Sequence, residues 1–502
     1  MTLDYLDTTI ILIFIVAVIR ASIKSFGDIE GINTFALGRR EFSVMALAST
    51  IIATWVSGSG FLVALSGTYT NGLYYFIPAL GMTLSMIIVA LFIVPKMEFF
   101  LGKTSVASAM GEIYGLRVKQ VTAAAGAIGV SGLIAVQFKV FGNLGSAIFN
   151  VHSEWFTILM GAFIIWYSRW GGIKSVVLTD IIQMGAFAIS LTFICVMIFH
   201  TYYHTDTPSI TNIDKFNLSH IFGTYDAKFV DMILLGLYFA IPSLNPAAIQ
   251  RVSMGFCIEQ VKKAWLIAAG VMFFIECCRN LIPILIYQMN PDLKEGEILG
   301  FIINTYGTFP MIKGFLIVGI VAMAMSTADS YLNISSVLIA NDLWERGMLN
   351  ISLKKIASDL WKKRKIDLSK IWINEKLNNA DKLLNARDLT VLIGTIAIVV
   401  ALLNNNLLKI ILFANSFYMP IVTVPLLFTI FGYKTSEKCV LIAMRFAATI
   451  VSCFHISNWL ELSPINIDPI IPGMLTNAIT LVICTKLFYR DKDNITDKQE
   501  LI

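Results

Sequence analysis

The chain has 502 residues, 57% of them hydrophobic and 14% charged, with a net charge of +5. That is too apolar for a soluble protein of several domains, and the charge is too small for a nucleic-acid partner. The apolar residues fall in blocks of about 18 to 25, the length of a bilayer-crossing helix, and they run unbroken rather than alternating. The expectation is an all-α polytopic membrane protein, and a β-barrel is disfavoured.

Thirteen apolar segments follow in chain order: 7–23, 42–66, 72–95, 121–149, 155–170, 175–200, 229–250, 264–289, 314–341, 389–404, 406–431, 439–455 and 466–488. The start, "MTLDYLD", carries two acids and no Lys or Arg, so the first segment reads as a retained helix rather than a signal peptide. The second segment is interrupted by "SGSG", Ser57 to Gly60, and the seventh by "IPSLNP", Ile241 to Pro246. Each proline there removes a backbone donor. The two interruptions lie five segments apart. Such a pair points to an inverted-repeat transporter, whose unwound backbone faces a site near the bilayer midplane. A plainer reading, glycines packing helices closely and prolines kinking them, competes at either break taken alone. The expected organisation is a single transmembrane domain over 1–502. It has an extra helix (7–23), a first five-helix repeat (42–200), a second (229–431) and two C-terminal helices (439–488). Only about a dozen residues follow the last segment, so no soluble domain is expected there.

The charges orient this threading. Thirty of the 38 Lys and Arg collect on one side, in loops, tail and helix edges; five, at 215, 228, 294, 313 and 409, fall on the other. The positive-inside rule then places the N-terminus outside and the C-terminus in the cytoplasm, in a plasma (inner) membrane. The basic loop 345–388 carries eleven of these cations and reads either as an amphipathic helix on the anionic leaflet or as a solvated loop. Seven cysteines, all in or beside apolar runs and without metal spacing, read as small buried hydrophobes.

Polar residues at membrane depth are functional candidates by default. Asp180 lies inside the sixth segment, in "VLTDIIQ", with a structural ion pair as its alternative. The ninth contains "VAMAMSTADSYLN", where Ser326, Asp329 and Ser330 share a helix face beside Thr327. Hydroxyl and carboxylate oxygens suit a hard cation, although lone hydroxyls also bond back to their own helix. Glu276 and Arg279 are three apart in the eighth segment and read as a self-satisfied pair. Lys139 has no acid near it in sequence, and its role is open.

Taken together, "FALGRREFS", "ATWVSGSG", "GGIKSVVLTDIIQ", "IQRVSM" and "MSTADSYLN" resemble the sodium:solute symporter family, which includes proline, pantothenate, sugar, sialic acid and choline carriers. The resemblance covers nearly the whole chain. It implies about 13 transmembrane helices and an inverted five-helix-repeat core with broken first and sixth core helices. It also implies a sodium site made by the carbonyls of Ala53, Val56 and Met323 and the hydroxyls of Ser326 and Thr327. A second cation site, present in some members, would fall on Asp180, Ser326, Asp329 and Ser330. This chain departs there by placing Asp329 where those members have Ser.

The expected substrate pocket is Trp55, Ser57, Ser59 and Phe61 with Tyr238 or Phe239 opposite, those two reading equally as lipid-facing or core residues, and with Lys139 as a further candidate. Proline carriers have an Asp where Trp55 stands; choline-type carriers are closer at the break. Trp55 would suit a quaternary ammonium, and Lys139 would repel one. The expected function is sodium-coupled symport of a small organic solute: an amino acid, choline-like compound, carboxylate or sugar. The alternatives are a membrane solute sensor of the same fold, a proton-coupled or uncoupled carrier, or a channel. No enzyme constellation and no cofactor is expected beyond Na+ as coupling ion. The partners are the solute, Na+ and the lipid bilayer, with no nucleic acid.

Overall fold

The computed structural model describes residues 3–27, 29–149, 152–204, 216–217, 227–242, 244–294, 297–307, 311–343, 375–404, 406–460 and 468–488. Helix α1 (Tyr5–Ile23) opens on Asp4, whose carboxylate accepts from the Tyr5 amide. Its buried Asp7 accepts from the Gly314 amide at 2.8 Å and so ties this extra helix to the core. A short α2 (Ile32–Leu37) precedes the first interrupted pass, α3 (Val44–Trp55) and α4 (Gly58–Asn71). Then come α5 (Phe76–Ile88), extended by a π turn and a 3-10 turn to Lys96, and a connecting α6 (Val106–Tyr114). Next are α7 (Leu116–Phe149) and α8 (Ser153–His204).

Helix α8 is two passes. Gly172 sits at φ +54, a conformation costly for any residue with a Cβ, and the helix doubles back there beside Phe35. Phe193 in the second limb lies 5.5 Å from Phe315, and Phe156 in the first shares a cavity with Ile317 and Val318. Both limbs therefore reach the same end of a later helix, while Gly172 turns at the other.

The second interrupted pass is α9 (Ala227–Ala240) and α10 (Pro246–Ser253). It is followed by α11 (Ile258–Met289), α12 (Ile298–Tyr306) and α13 (Ile312–Val337), the last extended by a π turn to Leu343. The chain continues through α14 (Glu375–Leu403), α15 (Leu407–Tyr418), α16 (Val424–Ile430), α17 (Glu437–Trp459) and α18 (Ile470–Phe488). A π turn joins α15 to α16. Counting each interrupted helix once and α8 twice, the described residues make thirteen passes.

The two interrupted passes run in opposite directions. Arg40, just before α3, donates to the Gly255 carbonyl, just after α10, at 2.6 Å. At the other face Tyr69, near the end of α4, donates to the Asn290 carbonyl, and Lys228, at the start of α9, lies over the Tyr74 ring. Helix α13 is the hub: it packs most extensively on α8, then on α7, with α1 and α14 also against it, and it is buried along nearly its whole length.

Three expectations change. Of the basic loop 345–388, residues 345–374 lie outside the described residues, and the rest is helical, because α14 begins at Glu375. Its opening turns are rich in Leu, Lys, Ala and Glu, which extend a helix past the membrane edge. The first interruption is narrower than "SGSG": Gly58 is already helical, and the break is Val56 and Ser57. Of the cysteines, only Cys439 and Cys484 are buried; Cys257 and Cys453 are exposed.

Candidate functional site

Helix α3 ends at Trp55, and Val56 leaves the helical region at ψ 88°. Ser57 then caps α4 by accepting from the Gly60 amide at 3.0 Å. The second interruption is built the same way. Asn245 caps α10 by accepting from the Ala248 amide at 2.8 Å, and Pro246 takes the first helical position, where no amide is needed.

Helix α13 crosses behind the first break. Ser326 Oγ donates to the Ala53 carbonyl at 2.8 Å and lies 3.1 Å from the Met323 carbonyl. Thr327 Oγ1 lies 3.1 Å from the same Met323 carbonyl and 3.4 Å from that of Thr54. Four of the five oxygen positions implied for sodium thus converge: the Ala53 and Met323 carbonyls and the Ser326 and Thr327 hydroxyls. Val56, the fifth, is buried at the break itself. Gly58 permits this approach, since a Cβ there would stand 2.9 Å from the Ala324 side chain.

Deeper toward the α2 side is a polar cluster that sequence reasoning missed in part. Arg251, quoted above within "IQRVSM" and counted with the loop cations, is fully buried at the end of α10. Its Nη2 donates to Ser330 Oγ at 2.6 Å and to Thr54 Oγ1 at 2.9 Å, and it lies 3.9 Å from Asp180 Oδ2. Thr50 donates to the same Asp180 oxygen. Gln250, beside it, donates to the Ala36 carbonyl at 2.7 Å and to Asn333 Oδ1 at 2.9 Å, which pins the dipeptide. Asp180 and Ser330, named for a second cation, are therefore bridged by a guanidinium. Asp329 takes other hydrogen-bond partners in the same neighbourhood: its Oδ2 accepts from Tyr167 at 2.9 Å and from Thr179 at 3.3 Å. Ser326, the fourth of that set, is engaged at the break. The signal that would have found Arg251 is its i, i+5 distance from Pro246, short enough to stay within the buried half-helix.

A cavity of about 200 Å³ opens beside both breaks. Trp55, Ser57, Ser59, Tyr238 and Phe239 line it, and so does Thr327. Phe61 does not: it is buried in the packed core, because on α4 it points away from the cavity-lining Gly60. Lys139 is buried but does not line it either; Gln137, two residues earlier, does, and donates to Ser59 Oγ at 2.9 Å. Trp55 meets Trp265 edge-on, with centroids 5.2 Å apart. Arg279 joins the lining while its Nη2 donates to Glu276, the pairing expected from their spacing.

No protein-family model matches the chain. The curated protein "Sodium/proline symporter 2" of Staphylococcus saprophyticus is 20% identical over 328 residues, which cover 62% of this chain and 63% of that protein. The osmoregulated proline transporter OpuE of Bacillus subtilis is 22% identical over 346 residues, 66% of this chain and 70% of that one. The chain thus spans just under two thirds of the first relative's length in the match. Among solved structures, a Na+-coupled sialic acid symporter in a substrate-bound outward-open state aligns with a TM-score of 0.78 at 16% identity, covering 97% of this chain and 98% of that one. MhsT in complex with L-phenylalanine aligns with a TM-score of 0.51 at 15% identity, over 88% and 97% of the two chains. At these identities the structures speak for the fold, which is that of an inverted-repeat transporter. The resemblance to the sodium:solute symporters read from the motifs is borne out.

Proposed function

We propose that this chain is a sodium-coupled symporter that moves a small organic solute across the membrane by alternating access. The observation that carries the reading is that two neighbouring hydroxyls of α13 reach carbonyls at the first break, Ser326 that of Ala53 and Thr327 that of Thr54, while both lie against the Met323 carbonyl of their own helix. An unwound turn frees carbonyls that a membrane helix otherwise keeps to itself, and such irregular backbone at this depth must be buried in protein or line a cavity. A sodium ion held there would take the Ala53, Val56 and Met323 carbonyls and the two hydroxyls. It would fasten the interrupted helix to the α13 hub and so steady the cavity, where Thr327 stands between ion and solute. Sodium and solute then strengthen each other's binding, and the coupling is reciprocal. Loss of the ion would release the interrupted helices from the hub and let the cavity open to the other side.

A second sodium on Asp180, Ser330 and Asp329 is a separate matter. The Arg251 guanidinium already supplies a positive charge to Asp180 and a donor to Ser330. We therefore favour one sodium per cycle at the break, with Arg251 as the fixed counter-charge of Asp180.

The test needs no knowledge of the solute. Thermal unfolding of the purified protein is followed in sodium, potassium and choline chlorides at equal ionic strength. Stabilisation by sodium alone is expected, since an ion that binds only the folded state raises its stability by mass action. Equal unfolding temperatures in the three salts would exclude the sodium assignment and leave an uncoupled carrier or sensor.

A further inference from the structure

The solute class is not set by the fold, but the charge of the cavity bears on it. Among the described residues that line it, Arg279 is the one charged side chain. The rest are aromatic, aliphatic, hydroxyl and amide groups. Arg279 is more than nine-tenths buried and shares its charge between the Glu276 carboxylate behind it and the cavity it lines.

Its donors are only partly spent. A guanidinium presents five N–H groups in a rigid fork suited to carboxylate. Nη2 is committed to Glu276, which Asn280 holds in turn by donating to its backbone carbonyl at 2.8 Å. Thr68 donates to Asn280 Oδ1 at 2.5 Å, so the arginine is braced from behind by α4 and α11. Nε has no hydrogen-bond partner. That atom is closed off from the cavity, so a ligand oxygen would meet the guanidinium through Nη1, which stands beside the cavity-lining Gly60.

The first break adds to this. A Cβ at Gly60 would stand 3.4 Å from Arg279 Nη1, so the glycine lets the guanidinium come close to the start of α4. Ser57, Ser59 and Gly60, the first residues of that 14-residue helix and its cap, line the same cavity. The positive end of the helix dipole therefore lies beside the guanidinium. Two positive features face one small space, and no described carboxylate lines it.

We propose, on the premise that the chain is a symporter, that its solute carries a carboxylate, which docks against Arg279 at the N-terminal end of α4. The apolar body then rests among Trp55, Tyr238 and Phe239. A quaternary ammonium is disfavoured, because Arg279, the one charged side chain among the described lining residues, would repel it.

The experiment is a thermal-shift comparison in saturating sodium. L-proline is compared with L-prolinamide, sialic acid with its methyl ester, and both pairs with choline and D-glucose. A carboxylate is expected to raise the unfolding temperature by about 2 °C or more while its uncharged partner does not. Arg279→Gln removes that response and Arg279→Lys keeps part of it, because a point charge replaces the fork. The sodium shift serves as the folding control for both variants. Stabilisation by choline or glucose with no carboxylate active would overturn the proposal. So would a carboxylate response undiminished in Arg279→Gln. Loss of the sodium shift in the wild type would strike the symporter reading itself, and is seen separately.

Discussion

Thr327 stands where the break, the hub helix and the cavity meet, so it gives the most direct single-residue test. Thr327→Ala removes a hydroxyl but leaves the Met323 carbonyl bonded along its helix. It should raise the sodium concentration for half-maximal thermal stabilisation about tenfold, equivalent to about 1.4 kcal/mol. Thr327→Ser should stay near wild type; matching sodium titrations for all three proteins would remove Thr327 from the site. Arg251 calls for a different measurement. Arg251→Gln leaves Asp180 buried without its cation, a loss of about 3–5 kcal/mol, to be read as a fall in unfolding temperature with or without sodium. Asp180→Asn together with Arg251→Gln should recover much of it, since neither charge is then stranded. Asp180 and Asp329 were visible in the sequence because a carboxylate in an apolar run stands out. Arg251 was not, because a cation at the edge of a segment looks like a loop cation until the short α10 is seen to end inside the protein.

Helices were legible to within a few residues wherever apolar length decides them, since the bilayer sets that length. Both interruptions were legible too, from glycine and proline. Their caps, Ser57 and Asn245, are also polar residues that a sequence shows. What sequence did not show was that the start of the expected loop's last third belongs to α14, or that the small helices α2, α6 and α12 exist. Those are too short and too polar at their ends to stand out from connecting chain. Close helix approach was equally hidden. A Cβ at Gly81 on α5 would run into the Gly236 carbonyl on α9, the first half of the second interrupted pass. Gly81→Val should therefore cost about 1–3 kcal/mol, because backbone cannot yield as a side chain can. The measurement is the unfolding temperature; an unchanged value would mean that α5 and α9 do not lie in this contact.

At the scale of the whole molecule, orientation rests on charge. We propose that the side carrying most of the Lys and Arg is the cytoplasmic one. Cys257 is exposed in the short turn between α10 and α11, close to where Arg40 meets Gly255. A membrane-impermeant maleimide should label a variant retaining only Cys257 in inside-out vesicles and not in sealed right-side-out ones; the reverse would invert the topology. Composition and the spacing of apolar runs determined by themselves that the chain crosses the bilayer many times, where it is interrupted, and which polar residues sit at depth. These follow from the hydrocarbon thickness and from the cost of unpaired polar groups, both of which act residue by residue along the chain. Only the tertiary structure decided which of those residues meet: Ser326 with Ala53 across 273 positions, Arg251 with Asp180, Arg279 rather than Lys139 or Phe61 at the cavity. Such pairings depend on how helices rotate and cross, which is set by packing between distant segments and leaves no periodic trace in any one of them.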